Sequence, residues 1–265
     1  MPRVHFISGL PRSGSTLLAA LLRQNPRFHA AVQSPLADIV GGALRMMSTH
    51  ESALFVTDAQ RQRVLTGLIE SYYGHLSTEV VAFDTSRAWT SMLPALAQLL
   101  PQARVICCVR NPAWIVDSFE RLIQRNALRQ SRMFGQDGYN VFSRAEALSK
   151  GALGGALCGL RQAWFSEQAA RLVGIRYDSL VSRPAKVMAG LYEILGESCF
   201  EHDFEHVSYE EEEFDSFLGA PGLHRVSGPI EAKPRSTILP PDIYRKFDEE
   251  FWAGSGSNPR QVTIL

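Results

Sequence analysis

Ten residues near the start of the chain, Gly9-Leu10-Pro11-Arg12-Ser13-Gly14-Ser15-Thr16-Leu17-Leu18, have the types and spacing that hold an anion. Glycines at 9 and 14 let the backbone take positive φ and bring N–H groups close to a phosphate. A helix starting near Gly14 adds its unpaired N–H groups and the positive end of its dipole. The spacing fits the phosphate-loop pattern G-x-x-x-x-G-K-[ST] except at one position, where Ser15 stands for the lysine. An NTPase uses that lysine to reach the β/γ-phosphates, whereas here the fixed positive charge comes earlier, on Arg12. A second segment ends an apolar run on Arg110 and places Ser118 about two turns into a helix opened by Asn111-Pro112. Arg110 as a bidentate donor and Ser118 as a hydroxyl donor suit another phosphate. Two anion cradles on one sheet edge predict a ligand with phosphates at two places.

Short apolar runs must position these groups. Residues 4–8, 28–32, 80–83, 105–109 and 174–177 read as strands, and their lack of polar alternation suits burial on both faces of a parallel sheet. Helical patterns separate them at 16–24, 93–100, 114–125 and 185–195, with prolines at 26, 101, 112 and 184 marking stops and starts. The alternation predicts an α/β fold, a phosphate-loop-type central parallel sheet flanked by helices, as a single domain over 1–265. Ligands then sit beyond the carboxyl ends of the strands. Residues about 40–75 and 126–170 read as helical insertions. The segment 208–236, with its acidic run at 210–213 followed by Arg225, Lys233 and Arg235, reads as a loop over an anionic ligand or a plain surface loop.

The bulk properties exclude several classes. Twenty-seven basic and 27 acidic side chains cancel, so there is no overall footprint for nucleic acid or a membrane surface, and any anion must be held by a local cluster. No apolar run approaches the roughly 18 residues of a membrane span. A first core strand starting at about residue 4 predicts no signal peptide. The four cysteines, Cys107, Cys108, Cys158 and Cys199, have no zinc spacing and read as reduced thiols of a cytoplasmic protein. His202 and His206, placed on one helix face by their spacing, lack the glutamate position of a zinc motif, and no metal site is expected.

Together these residues resemble the sulfotransferase family. Pro11-Arg12-Ser13-Gly14-Ser15-Thr16-Leu17 is similar to its 5′-phosphosulfate loop, and Arg110 with Ser118 to its 3′-phosphate site. Ile175-Arg176-Tyr177-Asp178-Ser179-Leu180-Val181, Pro184 and residues 191–196 are similar to its R-Y-E-D-L…P…L…L-G segment. The order and spacing agree over about 4–196 and lie nearer the bacterial and tyrosylprotein-type branch than the cytosolic steroid and phenol enzymes. The resemblance implies 3′-phosphoadenosine 5′-phosphosulfate (PAPS) as donor, with Arg12, Ser13, Gly14, Ser15, Thr16 and Leu17 on the phosphosulfate. It places Arg110 and Ser118 on the 3′-phosphate and Tyr177 beside the nucleotide. The acceptor it implies is a hydroxyl on a small molecule, a peptide or a carrier-bound group.

The departures fall at the catalytic centre. Where the tyrosylprotein-type enzymes carry a glutamate base this chain has Gln33, and where they carry a lysine it runs Phe83-Asp84-Thr85-Ser86-Arg87. Thr85 or Arg87 would replace that cation, and Asp84 and His29 are the base candidates at this edge. Two other readings stand beside the transferase: an ATP-dependent phosphate-loop kinase, and a nucleotide-binding protein without turnover. The sequence leaves the acceptor and the oligomeric state open.

Overall fold

A computed structural model describes residues 2–134, 138–234, 236–253 and 261–265. Its strands are β1 (Arg3–Gly9), β2 (Phe28–Ala30), β3 (Val81–Thr85), β4 (Val105–Val109), β5 (Leu172–Arg176), β6 (Val207–Tyr209), β7 (Val226–Gly228) and β8 (Thr263–Ile264). Six of them form one parallel sheet in the order β2-β3-β1-β4-β5-β8, and β6 pairs antiparallel with β7 as a separate ribbon. The central strands carry apolar side chains on both faces because helices cover both. This is the α/β parallel-sheet architecture that the alternation predicts.

Helices α1 (Ser15–Leu22), α2 (Leu36–Thr49), α3 (Asp58–Tyr72), α4 (Leu93–Leu99) and α5 (Pro112–Arg125) connect the first four strands or follow them. Beyond these lie α6 (Val141–Lys150), α7 (Ala152–Phe165), α8 (Tyr177–Ser182), α9 (Pro184–Leu195), α10 (Glu212–Phe217) and α11 (Pro241–Phe247). One apolar cluster joins α1, α8 and α9 to Ile7, Phe83, Ile106 and Ile175 on one sheet face. The other joins α2 to α7 and α11 to Phe6, Ala82, Val105 and Cys107 on the opposite face. The two regions read as insertions are α2–α3 and α6–α7, and both pack into this second cluster.

Several boundaries differ from the sequence expectation. β2 stops at Ala30, so Val32 and Gln33 belong to the following turn, and β3 runs two residues past Phe83. β5 ends at Arg176, and Tyr177 opens a helix. The 208–236 segment contains part of the β6–β7 ribbon and α10, and His202 and His206 share no helix. β8 pairs with β5, a sixth strand with no sequence signal because it is two exposed residues long. Asn111 caps α5 as expected, its Oδ1 accepting from the Ala113 N–H at 2.9 Å with Pro112 at the first helical position. No described helix is long and apolar enough to cross a membrane.

Chain crossing at the end of β1 depends on one glycine. Gly9 has φ +103°, and a Cβ there would lie 2.4 Å from the Cys108 carbonyl oxygen. Both the dihedral and the clash penalise any side chain. Gly9→Ala should therefore lower unfolding free energy by more than about 2 kcal/mol in urea denaturation. An unchanged midpoint would contradict this packing of the loop on β4.

Candidate functional site

The carboxyl ends of β1, β3 and β4 open into a cavity of about 440 Å³. Its floor is the loop from Gly9 to Leu17. Gly14 takes φ +103° and heads α1 without a side-chain cap, leaving the first-turn N–H groups of Ser15, Thr16 and Leu17 available to an anion. A Cβ on Gly14 would come within 3.1 Å of the Tyr177 ring, so the cradle and the aromatic are in close register. Arg12 is also in the left-handed region, at φ +55°, and lines the cavity.

Arg12 and Arg110 join the loop to the second cradle. The Arg12 Nε donates to the Ser118 hydroxyl at 3.2 Å, and its guanidinium also donates to the Leu223 carbonyl. Arg110 donates to the Arg12 carbonyl at 3.1 Å and lies over the Tyr177 ring, 4.1 Å from its centroid. That stacking fixes the plane of a fork-shaped donor. Arg12, Gly14, Ser15, Thr16, Leu17, Arg110, Ser118 and Tyr177 thus meet around one cavity, as their motifs predict.

Ser13 is different. Its side chain is fully buried, and its hydroxyl is engaged with the Cys108 carbonyl at 2.8 Å and with the Leu10 carbonyl. Ser13, expected within the loop that holds the phosphosulfate, does not line the cavity; its hydroxyl ties the loop to β4.

Two base candidates also move away. Because β3 continues through Thr85, strand alternation sends Asp84 to the same face as Ala82, into the apolar cluster around Trp89. Asp84 accepts from the Trp89 indole at 2.7 Å and the Tyr73 hydroxyl at 2.6 Å, and burial raises its pKa. His29 sits on the outer strand β2 with its ring exposed, near Tyr73 and His75. Neither side chain lines the cavity. Gln33 does line it.

Arg87 lines the cavity; burial lowers its pKa, but a guanidinium keeps its charge at any ordinary pH. Thr85 also lines the cavity, and its buried hydroxyl has no partner among the described residues. Of the two, Arg87 is the cation at this edge. Arg225 lines the cavity and reaches Glu210 at 3.9 Å, whereas Lys233 pairs with Glu231 at 3.2 Å away from it. Arg235 lies outside the described residues.

One cavity group has no counterpart among the sequence candidates. His224 lines the cavity beside Leu223, and its Nδ1 is 2.6 Å from the Asp215 Oδ1. The His224 backbone N–H donates to the other carboxylate oxygen at 2.8 Å. Asp215 itself is buried. Burial lowers the His224 pKa below the ordinary histidine range; Asp215 opposes that, and Arg12 and Arg87 add to the lowering. The ring is neutral near pH 7, with Nδ1–H on the carboxylate and the Nε2 lone pair as proton acceptor. The sequence signal was faint: an aspartate and a histidine nine residues apart, across a turn without periodicity.

A parallel sheet with an anion loop after its first strand and paired arginines at its edge defines a phosphate-loop-type α/β fold. The model of the sulfotransferase family matches residues 5–202, and the chain belongs to that family. No curated protein sequence matches significantly. Among solved structures, the chain is similar to the sulfotransferase domain of the Synechococcus PCC 7002 olefin synthase, at 22% identity and a TM-score of 0.47 over 76% of this chain and 75% of that one. The sulfotransferase domain of the curacin biosynthetic pathway gives 19%, 0.49, 76% and 76%. A sulfotransferase from Alicyclobacillus acidocaldarius gives 16%, 0.46, 82% and 91%.

Asp84→Asn removes the charge while keeping an acceptor for Trp89. Transfer should persist at close to the parent turnover number, with stability lower by about 1 kcal/mol as charge-assisted bonds weaken. Turnover lost in a fully folded variant would restore Asp84 to the catalytic centre.

Proposed function

We propose that the protein moves a sulfuryl group from PAPS to a hydroxyl acceptor, with His224 as general base. The observation that carries the donor assignment is the Arg12–Ser118 contact at 3.2 Å, which joins the phosphate loop to the second anion cradle. A nucleotide with a phosphosulfate at 5′ and a phosphate at 3′ matches two adjoining cradles. A kinase would lack the loop lysine, which Ser15 replaces.

When bound, the donor supplies the sulfuryl group and departs as adenosine 3′,5′-bisphosphate. The N–H groups of Gly14 to Leu17 and the Ser15 and Thr16 hydroxyls hold its 5′ end; Arg110 and Ser118 hold the 3′-phosphate against Tyr177. Arg12 and Arg87 neutralise charge that grows on the leaving oxygen in an in-line displacement. Fixed donors of this kind are each worth on the order of 10²–10³ in kcat. His224 Nε2 takes the acceptor's hydroxyl proton, and Asp215 holds the ring in the tautomer that can do so.

Transfer of labelled sulfate from PAPS to a panel of alcohols, phenols, glycosides and tyrosine peptides tests the reaction. Incorporation into one class supports it, and donor binding with no transfer to any would favour a nucleotide-binding protein. Arg110→Ala should weaken adenosine 3′,5′-bisphosphate far more than 5′-AMP, by about tenfold or more for the lost charged contact. Equal weakening would remove Arg110 from the 3′-phosphate.

The rate should fall on acidification as His224 becomes protonated, with its acid limb below the ordinary histidine pKa. Asp215→Asn removes the influence that raises His224, so the limb should move to still lower pH while kcat drops by about 10²–10⁴ from loss of the tautomer. A limb that stays in place in the pH–rate profile would contradict His224 as base.

A further inference from the structure

We infer that the acceptor is an uncharged alcohol or phenol on an apolar body, bound along one wall of the cavity; this rests on the sulfuryl-transfer reading above. The wall is made by Phe119 on α5, Met133 from the turn at 132–134, Leu148 on α6, Phe214 on α10, and Leu218 and Leu223 beyond it. These side chains come from segments distant in sequence and form one surface because the segments are joined. The Arg132 N–H and the Ser131 hydroxyl both donate to the Leu218 carbonyl, at 3.0 and 3.3 Å. Gly219, at φ +66°, packs so closely there that a Cβ would lie 2.5 Å from the Gln130 carbonyl oxygen. Leu148 and Phe119 are buried behind, and Phe119 meets Phe134 edge-on with centroids 6.2 Å apart. Met133, Phe214 and Leu218 are only part-buried and line the opening.

The wall is continuous with the base. The Phe214 ring centroid lies 5.5 Å from that of His224, and the Leu223 carbonyl receives the Arg12 guanidinium. A hydroxyl presented to His224 therefore carries its remaining atoms onto Phe214 and along the wall. A sugar placed there would leave hydroxyls desolvated without partners, which burial penalises.

Charge narrows the class further. The charged side chains lining the cavity are Arg12, Arg87, Arg110 and Arg225, and no carboxylate lines it among the described residues. The donor's phosphates occupy those arginines, and an ammonium group lying along the wall would be desolvated with no carboxylate to pair with.

A homologous series of primary alkanols, from 1-butanol to 1-decanol, tests the wall because the reacting hydroxyl stays the same. With PAPS as donor, kcat/KM should rise roughly three- to fourfold per methylene until the wall is filled. 6-Amino-1-hexanol should be turned over at least about tenfold less well than 1-hexanol. Met133→Gln should flatten the chain-length slope while leaving the calorimetric affinity for adenosine 3′,5′-bisphosphate at the parent value. A flat series, or transfer to methyl glucoside with none to the alkanols, overturns the apolar acceptor and leaves the donor reading standing if the bisphosphate still binds. Failure of the bisphosphate to bind overturns the donor reading instead. The wall is then judged by calorimetry of the alkanols alone: tighter binding with chain length supports it and no dependence overturns it.

Discussion

A single backbone carbonyl, that of Cys108 near the end of β4, sets the geometry on which the site depends. It accepts from the Leu10 N–H at 3.0 Å and the Ser13 hydroxyl at 2.8 Å, and it leaves no room for a side chain on Gly9. The phosphate loop is thereby fastened to the neighbouring strand before it enters α1. Arg110 leaves the same strand two residues later and donates back to the Arg12 carbonyl. Loop, arginine pair and second cradle are then positions on one rigid frame, built in strand and helix termini rather than in free loops.

The electrostatics of this frame are local. Acidic and basic side chains balance over the whole chain, yet four arginines gather at one cavity. Carboxylates nearby serve other ends. Asp117, fully buried on α5, accepts from Thr237 and from the Ile238 N–H and pairs with Arg121, which fixes the chain after the cavity's outer loop. Asp215 orients His224. Positive charge is left facing the ligand, where a transferase of an anionic group needs it.

The convergence of the loop, Arg110 and Ser118 on one cavity was legible in the sequence because its signals are local. Glycine spacing, a strand that stops on an arginine and an Asn-Pro helix start each act within a few residues, and the structure brings them together. The His224–Asp215 pair proposed as the base was not legible, for two physical reasons. Reading β3 two residues short put Asp84 at a strand end, whereas in the longer strand the period of two carries it into the core between Tyr73 and Trp89. His224 depends on a partner across a turn in an aperiodic segment, and only tertiary packing orients that pair toward the phosphate loop. Ser13 shows the same limit on a smaller scale: the motif places it in the loop, and a carbonyl 95 residues away decides the direction of its hydroxyl.

The central claim is that one cavity holds a nucleotide by phosphates at both its 5′ and 3′ ends. Calorimetry on the unmodified protein, comparing adenosine 3′,5′-bisphosphate with ATP–Mg²⁺, tests it most directly. The account predicts clear binding of the bisphosphate and a much weaker response to ATP–Mg²⁺. Preference for ATP–Mg²⁺ would contradict it.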